Sequence, residues 1–164
     1  RVDRTPRVFV LRLIAMFRGQ VSALEALKLS TDDLNRAKHL DDLRAPIDPR
    51  PTDAQLRRFA ARATRARLHE AWVLERAEQG ARKSTEGLKA WKDARDRLRA
   101  ILEAKPPPAL TVGELALNGL QVAELVGGKG PRVGESLRRC LDAVLDDPSL
   151  NTPERLTALI RAGK

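Results

Sequence analysis

With 164 residues, 42% of them apolar and 32% charged, the chain suffices for one globular domain or two small ones and is too apolar for wholesale disorder. Aromatic residues make up 3%, tyrosine is absent, and 25 leucines stand beside few β-branched residues. That composition excludes a strand-rich fold and points to an all-α protein. The single Cys140 excludes an intramolecular disulfide and a multi-cysteine metal site, and the net charge of +9 directs attention to anionic partners.

The elements follow in chain order. Val8, Val10, Leu11, Leu13, Ile14, Ala15 and Phe17 predict a buried helix over 7–18, ended by Gly19. Arg12 cuts this longest apolar run, which falls short of the ~20 residues a membrane helix needs. Val21, Leu24 and Leu27 predict a short helix. Ser30, with Asp33 three residues on, caps the next, whose stripe is Leu34, Ala37 and Leu40. Pro46 and Pro49 mark a loop over 45–51.

Thr52 and Gln55 form a second capping box, ahead of a helix carrying Leu56, Phe59, Ala60 and Ala63 on one side. If it runs unbroken, Arg58, Arg62, Arg65, His69 and Arg76 share the opposite side within ~60° of arc; Thr64 is the candidate break. Residues 80–87 read as a link. Leu88, Trp91, Arg95, Leu98 and Leu102 give a long helix to about Lys105, where three prolines (Pro106–Pro108) form a stiff connector. A domain boundary is therefore expected near 106, between a helical body over 1–105 and a small helical tail over 106–164.

In the tail, Thr111 with Glu114 predicts a capped helix, Asn118-Gly119 a break, and Leu120–Val126 a short helix. Gly127-Gly128-Lys129-Gly130 follows, and Pro131 suits the first position of a helix faced by Leu137, Cys140, Leu141 and Val144. Asp147-Pro148 ends it. Asn151 or Thr152 caps a last helix from Pro153.

Charge is distributed unevenly. Residues 1–50 carry ten basic and seven acidic groups, 51–105 fourteen and eight, and 106–164 seven of each. Between Arg50 and Arg67 six arginines face one acid, Asp53. Arginine forks onto phosphate, so this stretch reads as a phosphate contact or as a solvated helix face. The Gly127–Arg132 loop delivers backbone N–H groups at a helix start beside Lys129 and Arg132, which suits an anion; a tight turn between packed helices is the competing reading.

No catalytic constellation is evident. No serine has a nucleophile-elbow setting. The pairs Asp32-Asp33, Asp41-Asp42 and Asp146-Asp147 point ~100° apart on a helix and form no joint site. His39 and His69 lack ligand spacing. Cys140 belongs to an apolar stripe. Trp72 and Trp91 read as packing anchors, with Trp72 the better candidate for base stacking.

Three segments resemble the C-terminal body and tail of class II tRNA nucleotidyltransferases, the family of bacterial CCA-adding enzymes and poly(A) polymerases. They are Leu27-Lys28-Leu29-Ser30; Asp53-Ala54-Gln55-Leu56-Arg57-Arg58-Phe59 through Leu74-Glu75-Arg76-Ala77; and the tail segments Leu110–Gly119, Gly128–Gly134 and Leu150–Glu154. The likeness spans about residues 7–162. It implies a function in holding RNA, chiefly tRNA, by its backbone while the 3′ end is extended, and the Gly127–Arg132 loop by itself looks like that of a helix-hairpin-helix module, which gives the tail a glycine-rich, helix-hairpin-helix-like character.

The family's carboxylate-bearing head, its nucleotide-selecting neck motif and its histidine–aspartate segment do not occur here. The resemblance therefore implies no catalytic, metal or cofactor residue in this chain; Mg and ATP or CTP would belong to a missing N-terminal catalytic domain of the same polypeptide. The start at Arg1 without methionine fits a piece of something longer, and a cytoplasmic setting without membrane contact is expected. The RNA-binding set is Arg57, Arg58, Arg62, Arg65, Lys129, Gly130 and Arg132. Adjacent on a helix, Arg57 and Arg58 do not both point outward, and one is expected to pair with an acid in the body. Two rival readings are a helical protein-interaction module whose basic face takes an acidic partner, and a stand-alone helix-hairpin-helix nucleic-acid binder.

Overall fold

A computed structural model describes residues 5–17, 19–43 and 51–163. The expected proline loop over 45–51 lies, except for Pro51, outside the described residues, as does the side chain of Val8. Among the described residues the protein is all-helical, with eight α-helices and no strand. The order is α1 (Thr5–Met16), α2 (Val21–Ala26), α3 (Thr31–Asp42), α4 (Asp53–Ala81), α5 (Thr85–Leu102), α6 (Gly119–Val126), α7 (Pro131–Asp146) and α8 (Pro153–Ala162).

The chain divides into two compact units: residues 1–51 with 62–96, and residues 52–61 with 97–164. Residues 52–61 and 97–105, which the sequence reading assigns to the body, pack with the tail. Helices α4 and α5 each contribute to both units.

In the first unit α1 and α2 pack on α3 around Val10, Ile14, Leu24, Ala37 and Leu40, all buried. Gly19 ends α1 with φ +82°, a conformation glycine adopts without strain, and its N–H donates to the buried Asp41 carboxylate at 2.8 Å. Ser30 caps α3, accepting from the Asp33 amide at 3.2 Å. Arg36 of α3 forks onto Glu70 of α4. Ala63, Ala71, Trp72, Leu74 and Ala94 are the buried apolar residues that the later part of α4 and the first part of α5 supply.

Helix α4 is not continuous. Thr64 has φ 61° and ψ 152°, outside the helical region. A β-branched residue there stores about 1–3 kcal/mol of strain. We expect Thr64→Gly to be at least as stable as Thr64→Ala in urea unfolding, since glycine tolerates that backbone and alanine does not. A straight helix would reverse the order by about 1 kcal/mol.

In the second unit Ala109, Leu115, Leu117, Val122, Leu137, Cys140, Val144, Leu156 and Ile160 form one core. The Thr111–Glu114 capping box is present but starts only a 3-10 turn over Val112–Glu114, not an α-helix. Asn118 is not merely a break: it caps α6, accepting from Leu120 and Gln121. Thr152, rather than Asn151, caps α8. The Asn151 side chain instead accepts from the Ala116 amide (2.8 Å) and donates to the Glu114 carbonyl (3.1 Å), pinning the 3-10 turn to the start of α8.

Candidate nucleic-acid interface

The Arg57-Arg58 pair begins with helix geometry. The Thr52–Gln55 box starts α4, with reciprocal bonds of 2.7 and 3.2 Å, and Leu56, Phe59 and Ala60 turn into the core. Arg57, on the edge of that stripe, is 7% exposed. Its Nε donates to the Leu145 carbonyl and its Nη2 to the Asp146 carbonyl, each at 2.7 Å. These are the last carbonyls of α7, where a cation also opposes the helix dipole. Arg58 forks onto the Asp146 carboxylate, with Nη2 to Oδ2 at 2.8 Å. That bond holds the Arg58 guanidinium above its ordinary pKa. The expectation of one internal pairing is thus exceeded: both arginines clamp the end of α7, and the acid belongs to the tail. Neither is available as an unencumbered phosphate contact.

Arg62 and Arg65 are exposed, and Arg62 has no ion-pair partner among the described residues. The Thr64 break removes the single face on which an unbroken helix would align Arg58, Arg62, Arg65, His69 and Arg76.

The α6–α7 loop keeps its residues outward. Gly127 ends α6 in the left-handed region with φ +82°, and Gly128 and Gly130 have φ +153° and +129°. Side chains at these positions would be strained, so the glycines are what let the chain reverse here. Lys129, Gly130 and Arg132 are exposed. Their backbone N–H groups donate to no acceptor among the described residues, whereas Gly128 donates to Ala123 at 2.9 Å and Val133 to Gly130 at 3.1 Å. Three unpaired amides and two exposed cations therefore meet at the N-terminus of the 16-residue α7. Donors and positive charge in this arrangement complement an anion.

The tryptophans serve differently from the stacking reading. Trp72 is 6% exposed, which removes it as a base platform. Its ring meets Trp91 edge-on, centroids 6.5 Å apart at 77°, and its carbonyl accepts from Trp91 Nε1 at 3.0 Å. The Arg95 and Arg76 guanidinium carbons lie 4.7 and 5.7 Å from the Trp91 ring centroid.

The acid pairs have separate tasks. Asp33 partners Ser30, Asp41 accepts from Gly19, Asp146 binds Arg58, and Asp147 accepts from Ser149 at 2.9 Å. The Ser149 bonds hold the Asp147 carboxyl below its ordinary pKa, with Arg155 and Arg57 adding to the effect and desolvation opposing it. Burial raises the Cys140 thiol, opposed by Arg139, so Cys140 is a neutral core residue. Among the described residues no cluster of histidine, cysteine or acidic side chains is placed to hold a metal. No helix among them is long and apolar enough to cross a membrane. No protein-family model, curated protein or solved structure matches the chain.

Proposed function

We propose that the chain holds a nucleic-acid backbone, seating a phosphate at the α6–α7 loop. One observation carries this: Lys129, Gly130 and Arg132 present unpaired amides and outward cations at a helix N-terminus, on a protein of net charge +9. The phosphate bonds to the amides of that loop while Lys129 and Arg132 displace counterions. Arg62 and Arg65 are the further backbone contacts, and Arg57 and Arg58 are assigned to holding the tail.

RNA, specifically tRNA, is the polymer we assign, on the likeness of the three segments to the body and tail of class II tRNA nucleotidyltransferases. The glycine loop then acts as a helix-hairpin-helix-like grip. It positions a 3′ end for a catalytic head, with its Mg and nucleotide, contributed by another region of the polypeptide.

Titration of the chain with tRNA, duplex DNA and an acidic polypeptide at several salt concentrations tests this. With about three phosphates neutralised, log affinity should fall with log salt at a slope near −3, and Lys129→Ala with Arg132→Ala should flatten it by about 1–2. Tightest binding to tRNA is expected. An acidic polypeptide binding as tightly, or a slope unmoved by the double substitution, would overturn the proposal.

A further inference from the structure

A separate feature of the second unit has no place in phosphate binding by the loop. A cavity of about 380 Å³ is lined by Ile101 and Ala104 at the end of α5, by Pro106–Pro108 and Ala109, by Pro148, and by Arg57 and Asn151. Its walls are mostly apolar, with three proline rings in succession. Its polar groups are few, which is the usual make-up of a small-molecule site.

Arg57 gives the cavity a sign. The side chain is more than nine-tenths buried, two of its three nitrogens are committed to carbonyls of α7, and Nη1 has no partner among the described residues. Nor does any described carboxylate form an ion pair with it; Asp146 is held by Arg58, and Asp147 by Ser149. Enclosed without an ion pair, and opposed only by the longer-range charge of Asp147, this guanidinium favours an anion at Nη1. The Asn151 amide oxygen accepts from Ala116 and its nitrogen donates one N–H to the Glu114 carbonyl.

We infer that this cavity binds a small aromatic carboxylate, the ring lying against the prolines and Ile101 and the carboxylate accepting from Arg57 Nη1. The volume admits one ring with a short acidic arm. The prolines are pre-set, so little conformational freedom is lost when the ring enters.

The test uses the whole chain with phenylacetate, its uncharged counterpart 2-phenylethanol, and inorganic phosphate, followed by amide chemical shifts. Phenylacetate is expected to saturate, with shifts confined to the neighbourhood of Ala109 and Asn151, and 2-phenylethanol to bind at least tenfold more weakly. Ala104→Trp fills the cavity from an exposed lining position and leaves the Arg57 side chain itself in place. It should weaken phenylacetate at least tenfold while leaving the thermal midpoint in place. Arg57→Met should abolish the preference for the charged ligand; because it also removes the clamp on α7, Ala104→Trp is the deciding variant if Arg57→Met unfolds. Equal binding of 2-phenylethanol would reduce the cavity to an apolar hollow. Displacement of phenylacetate by equimolar phosphate would make it a bare anion site. Unchanged binding to Ala104→Trp, or no saturation, would place the ligand on the basic surface. Any of these results overturns the inference.

Discussion

Arg57→Ala is expected to destabilise the second unit by about 3 kcal/mol, while Arg58→Ala costs less than about 1 kcal/mol. The two arginines are neighbours in sequence and both bond the end of α7, so the contrast comes from burial alone. Arg57 is 7% exposed and satisfies two carbonyls at 2.7 Å, of which that of Leu145 is buried and that of Asp146 partly so. Each carbonyl left unpaired costs roughly 1–3 kcal/mol. Arg58 and Asp146 stay about half exposed, so the ion pair is screened and its loss is covered by solvent. Urea unfolding followed by circular dichroism reads both values. Equal losses would show that Arg57 does not cap α7. Lysine at 57 should recover less than half of the loss, because a single ammonium cannot fork across two successive carbonyls.

Trp72→Ala is expected to cost the first unit about 3–5 kcal/mol, the range for emptying an aromatic site in a core. Of that, about 0.5–1.5 kcal/mol is the edge-on contact with Trp91. Trp91→Ala should cost less, because that ring is only half-buried and one side of its contact is with the solvated arms of Arg76 and Arg95. Trp72→Phe, which keeps an aromatic ring in the core, should retain full tRNA affinity. A Trp72 variant that folds as well as the parent yet binds tRNA less tightly would restore the stacking role that burial denies it.

The two sites were legible in the sequence to different degrees. Capping chemistry is local, and so Ser30, Thr52 and Pro131 mark helix starts where the structure has them. The glycine loop was legible for the same reason: its residues act through backbone angles that few other residues accept. The roles of Arg57 and Arg58 were not, because their partners lie 88 and 89 residues away. One clue was present. Ala54 and Ala61 stand three before and four after Arg57 on the same helical face, and such short side chains leave room for another element to close over it. The triproline reads as a divider, since proline stops a helix. Stopping a helix does not separate one core from another: Pro108, Ala109 and Leu110 are themselves buried. Thr64 was legible as a weak point, and its break separates arginines that periodicity alone would have aligned.

The division of the chain has a consequence for biosynthesis. Residues 62–96 form an insert within the second unit, whose first strip, 52–61, emerges well ahead of its remainder. The first unit has all its segments once residue 96 has left the ribosome, and it can consolidate then. Arg57 must wait until the end of α7 has been made, so the last carbonyls of that helix act as the closing latch. A nascent chain halted before residue 146 should expose Leu56 and Phe59 to chaperones and proteases, and synthesis through α8 should hide them.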